Sequence, residues 1–274
     1  MKKIFLRLFL SGLFLVSGLS SCSKDATRTI SVCASELPHA QILKEAVKPL
    51  LEEKGYNLQV TILDWTLQND AVSNNDYDAN YFQHIPYLDT YNPGEDKVFA
   101  VCKVHYEPLR IYAGKARSAV TDPKATFEIC NDVSNGTRAL DLLVANGILS
   151  SYAKGKDGNA DFSKLPGNIT AVAENLLVAS LPDYDYGLLP CNTAMVGNID
   201  GNSDANKNLP TESESLASEK ANVLAANTTK YKSNTEYKAK IDALADALLS
   251  TDIKTYIQDT WKGVVLTYQE DLRK

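Results

Sequence analysis

The chain has 274 residues, of which 44% are hydrophobic, 23% charged and 8% aromatic, and its formal net charge is −6. That composition is globular and the length suffices for two lobes with separate cores, which excludes a disordered chain, a collagen and a multi-pass membrane protein. Removing residues 1–21 takes away Lys2, Lys3 and Arg7 and no acid, carrying the net charge to −9, and an acidic chain without a basic block repels phosphate backbones, so nucleic acid is not an expected partner.

Positions 1–3 form a basic n-region and Ile4 to Val16 an apolar h-region interrupted by Arg7 and Ser11, the layout of a secretory signal over residues 1–21. Leu19-Ser20-Ser21-Cys22 is similar to the bacterial lipobox, in which the Cys thiol is diacylated and the chain is cut just before it. Cys22 is therefore the expected lipidation site and 22–29 a polar tether. Two or three acyl chains hold a membrane effectively permanently, since each buried methylene contributes about 0.8 kcal/mol. The expected location is the cell envelope, membrane-anchored, on its periplasmic or outer-membrane side. A plain signal peptide is the alternative. No later run of 18 apolar residues exists to span a bilayer.

From Ile30 the pattern alternates. ISVCA reads as a short buried strand; Ile42, Leu43, Ala46, Val47, Leu50 and Leu51 then make the apolar stripe of a helix that ends at Gly55, with Pro49 expected to kink or shorten its last turn. NLQVTIL is a second strand and residues 67–75 a second helix, a β-α-β order that predicts a parallel sheet covered by helices. An aromatic-rich segment and the extended run KVFAVCKVHYEPLRIYAG follow. ATFEIC restarts the alternation as a strand, followed by a helix over Thr137 to Ala145, the strands NITAV, NLLVASL and YGLLPCN, the strand-like KANVLAAN, and helices over Tyr237 to Leu249 and Asp252 to Tyr256. The Gly-, Asn-, Asp- and Ser-rich stretches 153–168 and 197–215 read as polar surface loops.

Catalytic signatures are missing: there is no Gly-x-Ser-x-Gly, His-Glu-x-x-His, Gly-x-Gly-x-x-Gly or P-loop pattern. A Cys191/His84 nucleophile and base pair has no third orienting group in sequence, so no enzymatic activity is expected. Cys33, Cys102, Cys130 and Cys191 lack Cys-x-x-Cys spacing, so neither metal nor other cofactor is expected; buried thiols and disulfides both stand open. Two segments carry recognition chemistry. Tyr81-Phe82-Gln83-His84-Ile85-Pro86-Tyr87-Leu88 concentrates rings that offer apolar area and sulfur contacts, with a core-packing helix as the bland alternative. Asn131 to Arg138 opens a helix directly after a strand, where backbone N–H groups and a guanidinium suit a carboxylate; a capping turn with a surface Arg is its alternative.

DANYFQHIPYLDTYN, VHYEPLRIYAGK, NDVSNGTRALDLLVANGIL, DYDYGLLPCNTA, ASEKANVLAAN and WKGVVLTY, in that order, resemble the NlpA/MetQ lipoproteins, the substrate-binding subunits of methionine ABC importers, from about Ile30 to Tyr268. The resemblance implies an α/β type II periplasmic-binding-protein fold, two lobes joined by two crossings with a ligand cleft between them. The crossings are expected near 106–112 and 219–226, giving lobe one 30–110 with 223–274 and lobe two 111–222. It implies a methionine ligand (L-Met, D-Met or a Met dipeptide), permease and ATPase partners, and a site in which Phe82, His84 and Tyr87 line the side-chain pocket, Asn135 and Arg138 hold the α-carboxylate, and Asn222 contributes a further contact. Departures are expected to matter. Trp65 stands where the family commonly has Tyr. Pro190 occupies the place of a ligand-binding Asn, for which Asn192 is the available substitute. Arg110 replaces a small residue and is either a second carboxylate anchor or a rim charge. Cys130 and Cys191 end strands at the same cleft edge and are the expected pair if any bridge forms. A surface lipoprotein of the same fold with an adhesive, non-transport role is the competing reading, its mark being an occluded cleft.

Overall fold

The computed structural model describes residues 28–116 and 120–273; the signal segment, Cys22 and nearly all of the tether lie outside them. Ten strands occur among these residues: β1 (Thr29–Ala34), β2 (Asn57–Ile62), β3 (Ala79–His84), β4 (Val98–Tyr106), β5 (Leu109–Ala113), β6 (Phe127–Cys130), β7 (Ile169–Val172), β8 (Tyr186–Pro190), β9 (Asn222–Asn227) and β10 (Leu266–Asp271). They form a six-stranded sheet in the order β10-β4-β9-β3-β1-β2 and a four-stranded sheet in the order β5-β8-β6-β7. The chain passes from the first sheet to the second across Glu107 and Pro108 and returns between β8 and β9. The expected two-part α/β architecture is therefore present.

The first sheet is mixed rather than wholly parallel. β1 runs parallel to β2 and β3, but β9 arrives from the other sheet, enters between β3 and β4 and is antiparallel to both. Alternation along β1 shows why both faces are covered. Ile30, Val32 and Ala34 pack under the helical segment 36–53 and the helices Thr235–Leu248 and Thr251–Trp261, whereas Cys33 packs with Val72 and Leu88 on the opposite face. Each fully buried Ile or Leu stabilises this arrangement by about 1.5–3 kcal/mol. In the second sheet Ile129 joins Leu140 and Leu143 on one face, and Cys130 joins Leu177 and Leu181 on the other.

Several expectations need adjusting. NLLVASL is helical over Glu174–Leu176 and Leu177–Ser180, because Leu177 and Leu181 are the buried pair and lie four residues apart, a helical spacing. The first helix forms wide turns over Glu36–Ala40 and Ile42–Val47 and tightens to ordinary α geometry at Lys48–Glu53; Pro49 sits in the first turn of that tight part, where its missing N–H costs little. Gly55, at φ +77°, closes it as expected. The helix after β6 spans Val133–Ala145, starting four residues before Thr137. YFQHIPYL is split, with β3 ending at His84 and a helix running Ile85–Tyr91.

Candidate ligand-binding site

A cleft of about 610 Å³ opens where the two sheets meet, within the range usual for small-molecule sites. Trp65, Phe82, His84 and Tyr87 line it from the first-sheet side, Asn135, Arg138 and Asn192 from the second, and Asn222 from the start of β9. The backbone of β3 explains Phe82. Its pairing with β9 passes from Tyr81↔Leu224 to Gln83↔Val223, leaving Phe82 as the extra residue of a bulge, a device that re-aims a side chain. Pairing resumes at His84↔Asn222. Asp64 caps the helix Trp65–Ser73 by accepting from the Thr66 N–H at 2.9 Å, so Trp65 is held in its first turn. The rings then close into a wall, with Trp65 and Phe82 centroids 4.9 and 5.8 Å from that of Tyr87.

Arg138 reaches the cleft from the helix Val133–Ala145. Gly136 permits the close approach of that helix, since a Cβ there would meet the Cys130 carbonyl oxygen at 2.6 Å and the Phe162 ring at 2.3 Å. The guanidinium is already paired: Nε donates to Glu212 Oε1 at 3.0 Å and Nη2 to Glu212 Oε2 at 2.6 Å and to the Glu107 carbonyl at 3.1 Å, while Nη1 donates to Asn135 Oδ1 at 3.1 Å. Of its five N–H donors, these bonds leave one on Nη1. Glu212 also accepts from the Tyr106 hydroxyl at 3.0 Å and the Leu109 N–H at 2.8 Å. It thereby ties β4, β5 and the Arg138 helix together at the crossing.

Two amides are oriented by their oxygens. Asn135 Oδ1 accepts from Arg138 and from His84 Nε2, the latter at 3.1 Å, and Asn222 Oδ1 accepts from His39 Nε2 at 3.1 Å. With the oxygens so committed, their NH₂ groups are the atoms free to serve the cleft. His84 is a neutral Nε2–H tautomer, because Nδ1 accepts the Tyr87 N–H at 3.2 Å; burial, and then Arg138, hold its pKa down to about 3.

A second polar cluster lies beside Asn222. Glu107 Oε1 accepts from His105 Nε2 at 2.6 Å and lies 3.1 Å from His39 Nε2, whose N–H goes to Asn222, and the Tyr81 hydroxyl bonds His105 Nδ1. All four residues are buried, and burial lowers the His39 and His105 pKa values to about 4 and 3. Glu107 itself lines the cleft. Neither this cluster nor Glu212 was legible as a site in the sequence. Glu212 lies in the stretch 197–215 read as a surface loop, yet Asn206, Leu209 and Glu212 are buried in it. The spacing His105-x-Glu107 directly before Pro108 is the one local signal available for the cluster.

Further corrections follow from the geometry. Arg110 is neither a second anchor in the cleft nor a rim charge: Nη2 donates to the Asn206 carbonyl at 3.0 Å and pins the 197–215 stretch. The N-terminus of the Arg138 helix is already capped by Asp132, which accepts the Asn135 N–H at 2.9 Å, so the anion site expected of its backbone is partly used. Cys130 and Cys191 are free and buried in different apolar clusters, as Cys33 and Cys102 are also free and buried. Cys191 makes no pair with His84, whose two nitrogens serve Asn135 and Tyr87, and burial holds its thiol well above the usual range. Ellman titration of the folded mature domain is accordingly expected to show almost no fast thiol and four after denaturation without reductant; two or fewer would contradict free cysteines.

Two α/β sheets with a cleft between them, lined by rings and by amide and guanidinium donors, define a solute-binding protein. The chain belongs to the NlpA lipoprotein family, whose sequence profile matches residues 30–268. It is 33% identical to the methionine-binding lipoprotein MetQ of Bacillus subtilis, over 98% of this chain and all of that one, and 29% identical to the membrane lipoprotein TpN32 of Treponema pallidum over 90% of each. A nutrient-binding protein from Burkholderia cenocepacia, solved bound to methionine, superposes with a TM-score of 0.74 at 28% identity, covering 87% of this chain and 99% of that one. Substrate-binding members of this kind are a non-enzymatic class.

Proposed function

We propose that this chain is a lipid-anchored binding protein that captures methionine, as L-Met, D-Met or a Met dipeptide, between its lobes and delivers it to an ABC permease. The lobes in this reading are 30–110 with 223–274 and 111–222, the anchor is Cys22, and the membrane is that of the cell envelope, on its periplasmic or outer-membrane side. One observation carries the reading: ring side chains and pinned amide donors line one cleft together. The thioether would lie against Trp65, Phe82 and Tyr87, while the α-carboxylate would take the free Nη1 hydrogen of Arg138 and the NH₂ groups of Asn135, Asn192 and Asn222. Pro190 also lines the cleft but has no N–H to give. The cleft is open rather than filled by side chains, which favours ligand capture over the adhesive alternative.

Isothermal titration of the mature domain with L-Met, D-Met and Gly-Met is the test. Saturable heat with at least one of them is expected, and flat heats with all three would remove the reading. Phe82→Ala should weaken whichever ligand binds by about 10- to 100-fold, the loss of one ring from the pocket.

A further inference from the structure

We infer that Glu107 is the counter-charge for the ligand's α-ammonium group, and that His105 is a positioning residue that fixes its carboxylate at the cleft wall. The inference rests on the amino-acid reading above and adds to it the partner of the cationic end. Charge is the first argument. Arg138 is neutralised by Glu212 in a two-bond pair, so the carboxylate end of the cleft supplies mainly neutral donors, and a zwitterion's ammonium needs an acid elsewhere.

Of the other acids near the cleft, Glu36 lines it but is exposed to solvent, and three are engaged. Asp64 caps Thr66, Glu174 accepts from the Thr193 hydroxyl at 2.6 Å, and Glu212 has four bonds of its own. Glu107 accepts one histidine N–H, from His105, on Oε1 and is also bonded by the Asn192 backbone N–H, which leaves room on a carboxylate that has about four acceptor positions.

Placement is the second argument. Asn222 pairs with His84 on β3 and with His105 on β4, so Glu107, two residues past His105, faces the cleft next to the amides that would take the carboxylate. The α-ammonium and α-carboxylate of one amino acid are separated by a single carbon and require their partners side by side. Burial pushes the Glu107 carboxyl up to about 7, and an ammonium beside it would hold it ionised.

Calorimetry with methionine and with 4-(methylthio)butanoate, the same molecule without its amine, tests the assignment. The wild type should prefer methionine by at least about 100-fold, and Glu107→Gln should cut that ratio at least about tenfold while leaving the amine-free acid within about threefold. His105→Asn, which keeps the charge but removes its fixing donor, should cut the ratio less, and it is the variant to read if Glu107→Gln does not fold. A ratio unchanged in the variant that folds would overturn the inference alone; binding of neither compound by the wild type would overturn it together with the methionine reading. The ligand atoms of His39, His105 and Glu107 all lie within 4.8 Å of one another. A zinc titration showing a one-to-one site lost in Glu107→Gln would therefore overturn the ammonium role and make the cluster a metal centre.

Discussion

Glu212→Ala is expected to lower the unfolding free energy by about 3–5 kcal/mol, because it leaves the Arg138 guanidinium buried without its partner. Both side chains are only 4% exposed, so solvation replaces little of what the lost carboxylate supplied. The same change removes the acceptor of the Tyr106 hydroxyl and of the Leu109 N–H, loosening the crossing between the sheets. The double variant Arg138→Leu/Glu212→Met should recover most of that stability, since well-packed apolar side chains replace a buried ion pair at little net cost, yet it should not bind methionine. Urea midpoints and titration calorimetry on the two variants check both halves. A loss under about 1 kcal/mol for Glu212→Ala would mean that the pair is not the strut described here.

Glu128→Gln is expected to change how stability depends on pH without touching the cleft. Glu128 is fully buried in β6, with Oε2 accepting from the Ser180 hydroxyl and Oε1 unpartnered. Burial raises its pKa from 4.5 to about 7. Between those values the unfolded chain has released the proton and the folded chain still holds it, so the wild type loses stability as pH rises, by about 1.4 kcal/mol per unit. Gln does not titrate. The stability difference between the two proteins should therefore move in favour of the variant by about 3 kcal/mol from pH 4.5 to pH 8. Buried neutral His39, His84 and His105 act in the opposite sense, adding stability that is lost as pH falls from about 6.5 towards 4. They are common to both proteins and cancel in the difference. Thermal melts across that range showing parallel curves would rule out a buried, protonated Glu128.

Much of this fold is written in local spacing. The stripe from Ile42 to Leu51, the strands at β1, β2, β6 and β7, and the Tyr237 helix all follow from apolar periods of 3.6 and 2, which each segment expresses by itself. NLLVASL misleads because seven residues are too few to separate the two periods. β10 was not anticipated, since its sequence LTYQED is half polar and only its pairing with β4 makes it a strand. The rings of the cleft were legible for a different reason: Phe82, His84 and Tyr87 crowd into one short segment, and a cluster of that density is visible without a fold.

From its order of residues alone the chain determined its α/β class and its resemblance to a binding-protein family, because composition, period and contiguous motifs are properties of neighbours, and that resemblance in turn implied eight of the side chains that line the cleft. Only the tertiary structure decided that Arg138 is already matched by Glu212, that Arg110 is turned away to hold a loop, and that His39, His105, Glu107 and Asn222 meet. The insertion of β9 between β3 and β4 makes that meeting. Strand order joins residues more than a hundred positions apart, and no local spacing encodes which charge will be neutralised and which left to face a ligand.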